Sequence, residues 1–264
     1  MICLKVREVL VYRPGEEINI VEKPIKWGFS QTPYMIPIQR EHDDIMRVLQ
    51  SEGVKVNYLR KIVGYKPKMY VLRDDATVLD KKAVVCHLSQ FTRRGEEQVV
   101  KITLKELGIK IEGHIFPPGF LEGSDLFFTS KTHAFAIVGK RTNMEGINHL
   151  MEILKIEITP IQMDNLLSTQ FNIVNDIAII DEELSYGPLY SALKEKEYDL
   201  IIASKKVVNE MALNFLQIDD NKIVNTKSEI NKKLKMMGFD VIEVEIRELM
   251  KGNTGVRNIC LPLY

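Results

Sequence analysis

One pattern recurs five times along the chain, and it leaves few folds open. An amphipathic helical stretch ends at a turn residue, and a short apolar strand follows at once. The junctions are Gly53 before Val54-Lys55-Val56, Gly108 before Ile109-Lys110-Ile111, and Lys155 before Ile156-Glu157-Ile158. The last two are Glu197 before Tyr198-Asp199-Leu200-Ile201-Ile202 and Gly238 before Phe239-Asp240-Val241-Ile242. They lie 55, 47, 42 and 41 residues apart. A regular period of about 20–50 residues marks repeat or propeller-like architecture.

Each preceding helix carries one apolar face. The sets are Ile45, Val48 and Leu49; Val100, Leu104 and Leu107; Ile147, Leu150, Met151 and Leu154; Leu189 and Leu193; and Ile230, Leu234 and Met237. This i, i+3, i+4, i+7 spacing lays one side of each helix on a sheet. Thr142 with Glu145, and Thr226 with Glu229, read as capping boxes. Gly at three helix ends supplies a left-handed cap. Strand pairs are expected between the helices, among them Met69–Leu72 with Ala83–Cys86 and Phe127–Phe128 with Ala134–Val138. Each unit then reads strand, strand, helix, strand. No linker or low-complexity segment interrupts residues 1–264, so a single domain with strands inside and helices outside is expected. A doubly wound sheet is the structural alternative, and the paired strands weigh against it.

Bulk properties narrow the partners. Lys+Arg and Asp+Glu both total 36, and the basic clusters Lys205-Lys206 and Lys232-Lys233 have Glu210 and Glu229 nearby. A grip on phosphate backbones needs a basic excess or stripe, so nucleic acid is not an expected partner. No run approaches the roughly 18 apolar residues of a membrane span. The three cysteines, Cys3, Cys86 and Cys260, are too sparse for a disulfide framework, which points to a reducing, cytoplasmic setting. The five histidines, His42, His87, His114, His133 and His149, show no metal-ligand spacing, and no metal or cofactor is expected.

Five local stretches carry chemistry-bearing residues: Val11 to Glu17; Tyr70-Val71-Leu72-Arg73-Asp74-Asp75 followed by Thr92-Arg93-Arg94-Gly95-Glu96; Leu121-Glu122-Gly123-Ser124-Asp125-Leu126 followed by Gly139-Lys140-Arg141-Thr142-Asn143; Leu166-Leu167-Ser168-Thr169-Gln170-Phe171; and Thr254 to Leu263. Their order and wording resemble the guanidino-group-modifying (pentein) proteins: arginine deiminases, dimethylarginine dimethylaminohydrolases and amidinotransferases. The resemblance runs nearly end to end. It is most specific where Glu122-Gly123-Ser124-Asp125 and Arg141-Thr142-Asn143 mirror the family's Glu-Gly-Gly-Asp and Arg-Thr-Asn. It implies a five-bladed α/β propeller.

The resemblance also implies a chemistry. In the family a cysteine thiolate attacks the guanidinium carbon, a histidine moves protons, and carboxylates clamp the planar cation through bidentate hydrogen bonds. Carried over, Asp74, Glu122 and Asp125 are the clamp, and Arg94 and Arg141 match the arginines. Arg141 is the better candidate for a ligand's α-carboxylate. The catalytic pair departs from the pattern. Leu166 holds the histidine's place in a Leu166-Leu167-Ser168-Thr169 run, and Asn258 holds the cysteine's place. Thr254 replaces the first of two paired glycines. Cys260, two residues on, stands roughly 6.6 Å away along a strand. An attacking atom must come within about 3–3.5 Å of the reacting carbon.

Three functional readings follow. The first is a non-catalytic relative that binds a small guanidino compound such as arginine. The second is an active amidinohydrolase or amidinotransferase acting through a displaced Cys260. The third is a scaffold with a vestigial pocket, for which the sequence offers no exposed aromatic or basic stripe. The oligomeric state is left open.

Overall fold

The computed structural model of the chain describes residues 4–60, 66–163 and 168–264. Cys3 and Leu166 lie outside the described residues.

Five three-stranded sheets are arranged as the blades of a propeller. In the first, β1 (Glu8–Val11) runs into α1 (Met35–Ser51) and then β2 (Lys55–Tyr58), which pairs parallel to β1. The second holds β3 (Ala76–Leu79), β4 (Lys82–Val85), α2 (Glu96–Glu106) and β5 (Lys110–His114). The third holds β6 (Leu126–Phe128), β7 (His133–Val138), α3 (Met144–Leu154) and β8 (Glu157–Gln162). The fourth holds β9 (Phe171–Val174), β10 (Ile177–Asp181), α4 (Pro188–Glu195) and β11 (Asp199–Ala203). A short α5 (Lys205–Asn209) leads to the fifth: β12 (Leu216–Asp219), β13 (Lys222–Thr226), α6 (Ile230–Met236) and β14 (Asp240–Val244). In blades two to five the first two strands are antiparallel, and the helix returns the chain to a third strand parallel to the second. The first blade takes its antiparallel strand from the far end of the chain, β15 (Leu261–Pro262) on β1. This pairing joins the ends of the chain and leaves no blade incomplete.

The middle strands are apolar and buried along most of their length, as in Ala134 to Val138 and Ile177 to Ile180, because helices cover one side and neighbouring strands the other. All five junction residues adopt the left-handed conformation: φ is 78° at Gly53, 77° at Gly108, 56° at Lys155, 61° at Glu197 and 93° at Gly238. A glycine takes this conformation at no steric cost. Lys155 and Glu197 take it because the same helix-to-strand turn is imposed on every blade.

Two local expectations are corrected. Met69–Leu72 is not a strand: the chain there turns into a 3-10 segment, Leu72–Asp74, and β3 begins only at Ala76. The apolar run Met69 to Leu72 is buried because it packs into the main apolar cluster, not because it pairs. The capping boxes also fail. Asn143 is the cap of α3, its side-chain oxygen accepting from the Gly146 amide, while Thr142 is taken up by Asp125. Thr226 ends β13, and α6 starts after Glu229 without a side-chain cap.

Candidate functional site

The turn Leu72–Asp74 is held from two sides. The Arg73 amide donates to Asn258 O at 3.1 Å, and the Cys86 amide donates to Asp75 O at 2.9 Å. A second 3-10 turn, Gly123–Asp125, packs directly on it. The contact is close enough that a Cβ on Gly123 would sit 2.6 Å from Ala76 O and nearer still to Arg73 O. Glycine is therefore required at the second position of Glu122-Gly123-Ser124-Asp125. The approach brings Asp74, Glu122 and Asp125 into one buried cluster, each no more than 2% exposed.

The third and fourth stretches meet the fifth here. Ser168 Oγ donates to Ser124 Oγ at 3.3 Å, and Asn258 Nδ2 donates to Ser168 Oγ at 3.2 Å. Asn214 Nδ2 donates to Asn258 Oδ1 at 3.0 Å, while Asn214 Oδ1 accepts from the amides of Gly255 and Asn258 at 3.1 Å. Arg257 Nη1 donates to Ser124 O at 2.8 Å and to Asn258 Oδ1 at 3.3 Å. The loop that carries Asn258 is thus fixed by a buried polar network, and the Asn258 amide oxygen and nitrogen are both engaged in it.

The carboxylates face guanidinium groups of the chain itself. Arg141 pairs with Glu122 at 2.9 Å and with Asp125. Thr142 Oγ1 donates to the second oxygen of Asp125 at 2.8 Å and accepts from the Glu122 amide at 3.0 Å. Arg93 pairs with Asp74 and with Glu96 at 2.9 Å, and approaches Asp75 to 3.7 Å. On the clamp carboxylates Asp74 Oδ1 and Glu122 Oε1 are buried and have no hydrogen-bond donor among the described residues, and the same holds for both Asp75 oxygens and Glu96 Oε1 on the Arg93 side.

These surroundings set the protonation states. Burial pushes the Glu122 carboxyl up to about 7, with Asp74 and Asp125 adding to the rise and Arg141 opposing it. Burial pushes Asp125 up to about 6 against Arg141. Burial works on Asp74 in the same sense, but Arg93 and Arg141 outweigh it and hold that carboxyl below its usual value. Asp75 rises well above its usual value through burial and Glu96. Half-buried Lys68, whose amine donates to Gly28 O at 3.0 Å, is pushed down to about 8 by burial and Arg93. The cluster therefore holds one secure anion at Asp74 and one carboxyl, Glu122, that exchanges its proton near neutral pH. That is the range in which a group serves as a proton donor or acceptor.

Of the residues expected from sequence, the fold gathers Asp74, Glu122, Asp125, Arg141 and Asn258. Arg94 is exposed and bonds the carbonyls of Leu88 and Ser89, with its guanidinium 5.7 Å from the Phe120 ring centre. Its neighbour Arg93 is the buried one. Sequence reasoning passed over Arg93, although an Arg three residues before Glu96 at a helix start is an i, i+3 pair that could have marked it. Lys68 carried no such signal. Cys260 is fully buried in the apolar cluster with Leu10, Val256 and Leu261, and burial pushes its thiol up to about 12. Cys86 is raised well above its usual value by burial and Asp75. Because the thiolate is the reactive form, neither Cys86 nor Cys260 is expected to react with iodoacetamide or a haloamidine in the folded Cys3→Ser chain at pH 7.5. Mass spectrometry should find both labelled only after denaturation, and native labelling of Cys260 would contradict its placement.

Five three-stranded blades, each with a helix between its two parallel strands, and a Glu-Gly-Ser-Asp turn packed on a strand-entry aspartate define the guanidino-modifying class of α/β propeller. The chain belongs to the family described as N,N dimethylarginine dimethylhydrolase, eukaryotic, which matches residues 18–264. An uncharacterised protein of Aeropyrum pernix is 28% identical over 225 residues, covering 82% of this chain and 80% of its own. Among solved structures, a cysteine-to-serine variant of the Pseudomonas aeruginosa enzyme complexed with citrulline has a TM-score of 0.83 at 18% identity, covering 98% of this chain and 99% of that one. The N-terminal domain of ArgZ, a cyanobacterial arginine dihydrolase bound to product, has a TM-score of 0.85 at 17% identity, covering 98% of each chain. At these identities the structural likeness shows the fold.

Proposed function

We propose that this member of the family binds a small guanidino compound such as arginine and does not process it by cysteine attack. The observation that carries the reading is the pair of buried, unsatisfied acceptors, Asp74 Oδ1 and Glu122 Oε1. A buried carboxylate oxygen without a donor is costly, and a planar guanidinium offers five N–H donors in a fixed fork. Arg141 is the group placed to make room. Its side chain is 25% exposed where that of Glu122 is 2% exposed. Swung outward, it meets the ligand's α-carboxylate, and the incoming guanidinium takes its place against Glu122 and Asp125 and reaches the open oxygen of Asp74. One cation replaces another, so the cluster stays balanced.

The non-catalytic half rests on the position that the resemblance assigns to the nucleophile. Asn258 has an amide there, tied to Ser168, Asn214 and Arg257, and an amide is not a useful nucleophile. Leu166, at the place of the histidine, cannot transfer protons. The relatives' ligands, citrulline in one case and a product of arginine dihydrolysis in the other, favour the same ligand class. The reading needs no metal or cofactor. Among the described residues no helix is long and apolar enough to cross a membrane. We assign its work to the cytoplasm on the sparse cysteines.

Calorimetry with arginine, agmatine, creatine and methylarginines is expected to give saturable binding of at least one of them at millimolar concentration. Glu122→Gln should weaken it by about tenfold or more, the scale of one hydrogen bond to a charged group. Absence of heat from all of them would defeat the binding reading. Release of ammonia or an amine during incubation would defeat the non-catalytic one.

A further inference from the structure

A cavity of about 70 Å³ lies apart from the carboxylate cluster, and none of Asp74, Glu122 or Asp125 lines it. Its walls include Phe127 on β6, Asn172 on β9 and Gln217 on β12, together with Arg73 and Arg257. These two guanidinium groups are 7% and 4% exposed. Neither lies within ion-pair distance, 4.0 Å, of a carboxylate among the described residues. Arg257 spends its donors on the carbonyls of Ser124 and Leu126 and stacks 4.0 Å from the Phe127 ring centre. Arg73 is different: its Nη1 is buried and finds no acceptor among the described residues.

A buried guanidinium donor left without an acceptor is costly. Here that donor is Arg73 Nη1, and a second buried cation, Arg257, stands beside the same cavity with its hydrogen bonds made but no carboxylate within ion-pair distance among the described residues. Burial and the neighbouring Arg73 push Arg257 well below its usual value, with Tyr264, Asp125 and Asp74 opposing. What removes such a penalty is a planar or tetrahedral oxyanion, which accepts several N–H bonds at once and neutralises the field. A cavity of this size holds such a group, since a water needs only about 10–15 Å³ by the same measure.

We propose that the cavity bounded by Arg73 and Arg257 is a binding site for a small oxyanion, a carboxylate or a phosphate. It is separate from the guanidino site and does not depend on that reading. Arg73 supplies the free donor, and Arg257 adds charge while staying tied to the backbone.

The test uses the full chain. Calorimetry and thermal unfolding are run with sodium phosphate, acetate and citrate, each against sodium chloride at equal ionic strength. Saturable binding with a rise in Tm is expected for phosphate or for a carboxylate, and the tighter arm tells which group the site takes. Arg73→Met keeps the length of the side chain and removes its charge, and should weaken binding at least tenfold. Arg257 variants are unsuitable because that side chain also holds two carbonyls. A second measurement needs no variant: crystals soaked in bromide should show an anomalous peak between the two guanidinium groups. No saturable response, an equal response in Arg73→Met, or no bromide at that place would each overturn the proposal.

Discussion

Replacing Arg93 by Met is expected to destabilise the fold by about 3–5 kcal/mol, the range for removing one partner of a buried ion pair. The guanidinium is 3% exposed and is the cation that faces Asp74, Asp75 and Glu96. Without it three buried carboxyls share a site with no counter-charge on that side. The effect should depend on pH. In the wild type Asp74 lies below its usual value because Arg93 and Arg141 outweigh its burial. Its contribution is therefore present above the unfolded value of about 3.9 and lost as pH falls through the lower folded value. In Arg93→Met the sign reverses at Asp74, since burial now acts with less opposition, and Glu96, already raised by its burial against Arg93, rises further. A group raised in this way adds stability below its unfolded value and loses it as pH climbs through the folded one. The variant should thus lose less at pH 5 than at pH 8. Urea unfolding followed by circular dichroism at the two pH values measures both quantities. A loss under about 1 kcal/mol, the range of exposed ion pairs, would contradict the buried placement of Arg93.

The second large effect is expected from a single methyl group. Gly123→Ala puts a Cβ against the backbone oxygens of Arg73 and Ala76. Backbone atoms cannot rotate away as the end of a side chain can, so one of the two turns must move. Overpacking of this kind costs about 3 kcal/mol or more at its severe end. Because the displaced turns carry Asp74, Glu122 and Asp125, arginine binding should be lost in the fraction that still folds. Ser124→Gly, which restores the family's second glycine, is the paired control. It gives up the hydroxyl contact with Ser168 and the Ser124 hydroxyl's support of the Asp74 carboxylate, worth about 1 kcal/mol each, and adds no atom to the close approach. Thermal melts and calorimetry on both variants separate the outcomes. Similar losses for the two would mean that the close approach at Gly123 is not what sets the site.

The repeat was legible because it is written in local terms. A helix with one apolar face, a left-handed turn and a short strand are each settled within a few residues, and all five junctions were found where the chain places them. The motif residues Asp74, Glu122, Asp125, Arg141 and Asn258 were legible through their resemblance to a known family. Three things were not. Met69–Leu72 has the composition of a strand but packs unpaired into the apolar core, and no local signal separates a buried turn from a buried strand. Thr142 has the spacing of a cap, yet Asp125 takes its hydroxyl, an acceptor brought from 17 residues away. Arg93 and Arg94 are adjacent and chemically identical; the spacing to Glu96 distinguishes Arg93, but its burial follows from the approach of Asp74, 19 residues away.

The sequence by itself therefore determined the five units, their helix faces, the turns between them and the residue types available to a guanidino site. The tertiary structure decided which charges meet. It set Arg93 and Arg141 on the carboxylates, placed Cys260 in the apolar core, closed the first blade with β15 and left Arg73 Nη1 without an acceptor among the described residues. The physical reason is range: periodicity and turn chemistry act over one helical turn or one strand. Burial, which sets the protonation of Glu122 and the inertness of Cys260, depends on every blade being in place.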